Sequence, residues 1–182
     1  MFISVGIDPD LHLYTQAILR VDNGKFHLEV DAVKAKGEKT ERAVKLLLAD
    51  AASIASSART TRADFISIES QTVVYTGKTN GARPQDLIYL AQVAGGICAL
   101  TGGDLIPPYV WKKQVPKKIC QARVYSALGI PYEVKGGKDP YCVPKDWKRY
   151  DVRGAMTMCD WKDASDSVAL AYWRLKSEGV VK

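Results

Sequence analysis

The chain has 182 residues, 47% hydrophobic and 25% charged, which suits a single folded domain able to bury its own core without disulfides or structural metal. Lysine and arginine exceed aspartate and glutamate by 26 to 20, a net charge of +6 with a pI near 9.1, so anionic partners such as nucleic acid are admitted but not required. No apolar run approaches the ~18 residues of a membrane span, no basic stretch precedes the first apolar run, and four cysteines without a CxxC pair beside two histidines argue against structural zinc.

Residues 2–8 form a short apolar run closed by Pro9, the pattern of a buried strand that ends at a turn. Two further strands are expected over 11–21 and 25–33. Asn23-Gly24 lies between them, and both residues tolerate the positive φ of a tight hairpin. A helix follows over Thr40–Ser57, with Val44, Leu47, Leu48, Ala51, Ile54 and Ala55 on one stripe. Ala63–Glu69 reads as a buried strand and Thr76–Pro84 as a polar, glycine-containing loop. A second helix is expected over 85–101, with Leu87, Leu90, Ala91, Ala94 and Cys98 on one side. Leu105–Pro108 ends a short strand, and Pro116 opens a third helix running to about Leu128, since proline suits a first helical turn. Residues 129–159, rich in Gly, Pro, Lys, Tyr and Trp, lack periodicity and read as a long loop or small insertion. The last helix spans Trp161–Ser177.

The order βββαβαβαα over one domain, 1–182, predicts an α/β fold with a mixed five-stranded sheet and helices on both faces. It is the order of an RNase H-like domain. Acidic residues stand out at three sites along the chain. Asp8 and Glu69 each end an apolar strand, where open α/β sheets place their sites. Asp163 and Asp166 are three apart in the first turns of the last helix, on the stripe that continues to Leu170 and Ala171. If that helix packs beside the first strand, four carboxylates meet. Converging carboxylates repel unless a cation sits among them, and hard oxygen donors suit Mg²⁺ or Mn²⁺. Each acid also has a plainer reading: Asp8 as a turn residue before Pro9, Glu69 as a solvated strand end, and the helical acids as partners of the helix dipole.

At these residues the sequence resembles the RuvC family, most closely its phage-encoded branch. Gly6-Ile7-Asp8-Pro9 is similar to the family's GIDPG motif, and Ile68-Glu69-Ser70-Gln71 to its glutamate-bearing strand. Asp163 to Ala171 resembles its DAADALALA helix. The resemblance implies an RNase H fold, a homodimer, and Mg²⁺-dependent paired nicking of four-way DNA junctions with two ions per site. It makes Asp8, Glu69, Asp163 and Asp166 both catalytic and metal-ligating. It also implies basic residues near the scissile phosphate, for which this chain offers Lys112, Lys113, Lys117 and Lys118. An aromatic residue after the glutamate is expected to open base pairs, and Tyr75 is nearest. Position 10 departs from the family, with Asp10 in place of glycine. Lys78 and Arg83 flank the loop after Glu69 and are expected to meet phosphate. A second basic cluster, Lys135–Arg149, is interleaved with Tyr141, Trp147 and Tyr150; it reads equally as DNA contact or as aromatics packed on the core.

The functional expectation is a junction-resolving endonuclease acting in the cytoplasm, of the host cell if phage-encoded, with branched DNA as partner and neither membrane nor organic cofactor. The alternatives are a nuclease of the same fold acting on forks or flaps, and a non-catalytic DNA-binding module. For the dimer, the small residues Ala91, Ala94 and Gly95 of the 85–101 helix are the expected self-complementary surface.

Overall fold

The computed structural model describes residues 1–10, 13–34, 62–70, 84–154 and 156–182. The expected helix over Thr40–Ser57, most of the 76–84 loop, and Tyr75, Lys78 and Arg83 lie outside these residues.

Strand β1 (Phe2–Pro9) runs through the middle of a five-stranded sheet of order β3-β2-β1-β4-β5. It pairs antiparallel with β2 (Leu13–Asp22) and parallel with β4 (Phe65–Glu69). The edges are β3 (Lys25–Lys34), antiparallel to β2, and β5 (Asp104–Ile106), parallel to β4. The β2–β3 hairpin turns at Asn23 and Gly24, at φ 49° and 75°, as the sequence requires.

Side chains alternate along β1, and the two faces are chemically unlike. Ile3, Val5 and Ile7 join Ile68 of β4 beneath helix α1 (Pro84–Thr101), which buries Leu90, Val93, Ala94 and Ile97 there. The helix is apolar nearly all round, so periodicity does not select its inward face. Ala91, expected on one side with Leu90 and Ala94, is exposed where those two are buried. Ala94, expected at a dimer surface, is only 3% exposed and packs on the sheet. That part of the dimer expectation is corrected.

The opposite face of β1 carries Ser4, Gly6 and Asp8, and helix α4 (Trp161–Ser177) lies against it. A Cβ on Gly6 would stand 2.1 Å from the Ser167 carbonyl oxygen and 2.6 Å from the Ala171 nitrogen. Only glycine admits this approach. Hydroxyls then stitch the helix down: Ser4 Oγ donates to the Ala171 carbonyl at 2.9 Å, and Ser167 Oγ accepts from the Asp8 amide at 3.1 Å. Between the two helical layers the sheet is covered on both sides.

After β5 come the short helix α2 (Pro108–Trp111) and helix α3 (Lys117–Ala127), entered through Pro116 as predicted. The 129–159 stretch is more ordered than a long loop. Strands β6 (Tyr132–Lys135) and β7 (Tyr141–Pro144) pair antiparallel, and 3-10 turns form at Trp147–Arg149 and Met158–Asp160. Four-residue strands around a glycine-bearing turn are too short to show alternation in sequence. The stretch ends by pairing with the sheet edge, the Val30 amide donating to the Tyr150 carbonyl at 2.7 Å. Tyr141, Trp147 and Tyr150 pack against the core, so the aromatics of the second basic cluster serve the fold.

Candidate active site

Because β1 and β4 are parallel and in register at Ile7 and Ile68, the next residues, Asp8 and Glu69, stand side by side at the strand ends. Both face α4. Asp166 comes down from that helix one turn before the close contact at Gly6. One carboxylate oxygen from each of Asp8, Glu69 and Asp166 lies within 4.8 Å of the others. Three sequence-distant acids therefore share one pocket, and they are 9%, 5% and 3% exposed.

Asp163, one turn earlier on α4, lies outside this set. It is more open, and Lys117 Nζ reaches its Oδ1 at 3.4 Å. Asp10 is near enough to Asp163 to oppose its ionisation. Burial, then the neighbouring acids, raises the Asp163 pKa, with Lys117 pulling the other way.

Two lysines answer the acids. Lys112 Nζ is 2.8 Å from Asp166 Oδ2 and 3.1 Å from Glu69 Oε2, and it also lies over the Trp111 ring, 4.5 Å from its centroid. Lys117 Nζ is 3.0 Å from Asp166 Oδ2. Lys113 and Lys118 are exposed and turn away. The left-handed backbone at Lys113, φ 53°, separates the inward Lys112 from its outward neighbour. The four lysines thus divide into an inner and an outer pair, a distinction that sequence adjacency hides.

Two further residues hold the site. Trp111 Nε1 donates to Glu69 Oε2 at 3.1 Å. In the sequence its one sign is its place directly before Lys112. Gln121, 1% exposed, donates through Nε2 to Asp166 Oδ1 at 2.9 Å and to the Lys162 carbonyl at 3.2 Å, while its Oε1 accepts from the Cys142 amide of β7 at 2.8 Å. It was not singled out in the sequence. The available sign was its place one turn beyond Lys117, on the helix side that continues to Val124 and Tyr125.

The electrostatics follow from this arrangement. Burial, reinforced by Glu69 and Asp166, raises the Asp8 pKa well above the usual carboxylate range, and Lys112 only partly opposes it. Glu69 is also raised, chiefly by burial. Burial works against the charge on Lys112 and Lys117, but Asp166 with Glu69, and Asp166 with Asp163, outweigh it and raise both. Among the described residues no hydrogen-bond donor reaches the Asp8 carboxylate. Three hard oxygen donors from three elements fit a divalent cation such as Mg²⁺ or Mn²⁺.

No family model matches the chain, and no curated protein matches its sequence. Among solved structures it is similar to Thermus thermophilus RuvC, with a TM-score of 0.60 at 13% identity, covering 100% of this chain and 99% of that one. It is equally similar to T. thermophilus RuvC in complex with a Holliday junction substrate, with a TM-score of 0.59, 13% identity and the same coverage. The sheet order, the helices on both faces and this likeness establish a RuvC-like, RNase H-like α/β fold.

Proposed function

We propose that the chain is a metal-dependent endonuclease that resolves four-way DNA junctions by paired nicking. The observation that carries the reading is the convergence of Asp8, Glu69 and Asp166 in a fold shared with a RuvC that has been seen with a Holliday junction. Asp8, Glu69 and Asp166 would hold a divalent ion, and Asp163 at the pocket rim would complete the ligand set for a second. Mg²⁺ is the favoured ion, with Mn²⁺ able to replace it, and the chemistry such ions would supply is activation of water and stabilisation of the leaving oxygen in phosphodiester hydrolysis.

The chain's own residues supply the rest. Gln121 and Trp111 fix the orientations of Asp166 and Glu69. Lys112 and Lys117, paired with the acids, would bring two ammonium groups to the phosphate being cut. Lys113 and Lys118 meet the backbone from outside, and Tyr75, Lys78 and Arg83 serve the crossover. The last three assignments rest on the sequence, as does placement in the phage-encoded branch, acting in the host cytoplasm. No helix among the described residues is long and apolar enough to cross a membrane.

A two-fold symmetric junction calls for two sites in a symmetric pair. The outer side of α1 supports this reading. Ile88 is 51% exposed, Ala91 is open, and a Cβ at Gly95 would meet nothing within 4 Å. A monomeric mass at micromolar concentration would remove the dimer from the proposal.

The test is a cleavage panel of four-way junctions, forks, flaps and linear duplex, with Mg²⁺ and with EDTA. Symmetric nicks in the four-way junction, dependent on Mg²⁺ and absent in Asp8→Asn, are expected. Retained cleavage in that variant would exclude the site.

A further inference from the structure

A groove of about 660 Å³ opens beside the acidic pocket, between α3, the turn at Trp111–Val115 and the second half of α4. Its position follows from helical spacing. Asp166, Ala169, Trp173 and Lys176 are separated by three, four and three residues, so they form one stripe of α4. The first belongs to the acidic pocket and the others line the groove. Ten residues at ~1.5 Å each make a track of roughly 15 Å leading away from the carboxylates. Lys112 forms its near wall while bonding Glu69 and Asp166, so groove and pocket are continuous.

The lining has two chemistries. Val124, Tyr172 and Trp173 give an apolar, partly aromatic floor. Lys113, Arg123 and Lys176 stand around it, and none of the three has an ion-pair partner among the described residues. Among the described residues no acidic side chain lines the groove. A cationic rim over an aromatic floor matches an unpaired nucleic-acid strand, whose phosphates take the rim and whose bases take the floor. A second copy of this chain, itself carrying a net charge of +6, is the poorer electrostatic match.

We infer that this groove binds an unpaired DNA strand of the substrate where it leaves the cleavage pocket. The inference rests on the nuclease reading for its biological setting, but its binding chemistry is separately measurable. The groove gives the protein a hold on single-stranded DNA that fully paired arms do not provide.

The experiment uses the full chain in EDTA with a fluorescein-labelled ten-residue oligothymidylate, read by anisotropy at two salt concentrations. Wild type should bind. The double variant Arg123→Glu/Lys176→Glu should bind about tenfold or more weakly and with a shallower salt dependence. Trp173→Leu should lose about three- to tenfold by removing a stacking face. A 5-iodouracil oligonucleotide cross-linked to the wild-type protein should map to the peptide holding Tyr172 and Trp173, so the result does not depend on a variant that folds. Absent oligonucleotide binding, unchanged affinity in folded variants, or a cross-link elsewhere would overturn the inference. So would a double variant whose only change is loss of self-association, since the groove would then hold a second copy. Groove-dependent binding with no cleavage of any panel substrate would sink the nuclease reading and leave the groove standing. Junction cleavage with groove-independent binding would do the reverse.

Discussion

Asp8 and Asp166 sit in the same pocket and are buried to nearly the same degree, yet their surroundings are opposite. Asp166 is gripped by Lys112, Lys117 and Gln121. Asp8 receives no donor among the described residues, and burial holds its pKa high. One carboxylate is fixed in place by protein; among the described residues none fixes the other. The contrast shows how a fold can keep several acids together before any ion arrives. Two ammonium groups screen one side, and burial with the neighbouring acids disfavours charge on Asp8 at the other.

The largest expected effect comes from the bare side. Asp8→Asn should lower junction cleavage by at least on the order of 10³-fold, about 4 kcal/mol of transition-state stabilisation, while electrophoretic mobility shift shows junction binding retained. Normal turnover would erase the contrast. On the gripped side, Lys112→Met leaves Glu69 and Asp166 short of a counter-charge. Urea titration of the metal-free protein should show a loss of roughly 2–3 kcal/mol, less than for a fully buried pair because 19% of the Lys112 side chain is exposed. Added Mn²⁺ should restore part of it. A variant as stable as wild type would mean the lysine does not screen the pocket.

Gln121→Leu tests positioning rather than charge. It removes a donor to Asp166 and an acceptor for the Cys142 amide, so a loss of about 1–3 kcal/mol is expected. Mn²⁺ affinity, followed by calorimetry, should weaken by about tenfold if the amide orients the ligand. Gln121→Glu should retain more stability than the leucine variant only when its own carboxyl is protonated. Stability lost without any change in ion affinity would make Gln121 a tie between α3 and β7 and nothing more.

The smallest effect is one of pH. With its native pKa above the unfolded value of 3.8, Asp8 keeps a proton in the folded state that the unfolded chain releases. Its contribution to stability therefore falls as pH rises from that value through its native pKa. The difference in melting temperature between Asp8→Asn and the metal-free wild type should grow over that window, and Mg²⁺ should shrink it at the upper end. A difference that is flat with pH would contradict the burial argument.

The acids of this contrast, though not what grips them, are legible in the chain itself. Apolar runs ending in Asp8 and Glu69 and an acidic pair opening the last helix gave three of the pocket's walls. The Asn23-Gly24 turn and Trp161–Ser177 were legible because local backbone preference and long periodicity decide them. Strand β1 was legible as well, although its inner face is polar at Ser4 and open at Gly6. What stayed hidden was decided by tertiary packing. Nothing in Lys112-Lys113 says which ammonium turns inward; the left-handed residue between helices decides it. Gln121 looks like any surface glutamine of a polar helix until β7 covers it. On α1 the surface expected of Ala94 is instead packed on the sheet, because a helix apolar on most sides gives the sheet several faces to choose from.

The missing side chain at position 6 has a consequence for how such a protein can change. The depth at which α4 seats on β1 sets the distance between acids carried by different segments, and that depth leaves no space for even one methyl group. The pocket's gauge is thus calibrated by a residue that bears no functional group at all. Screens that examine only charged positions would overlook the site's most exacting dimension.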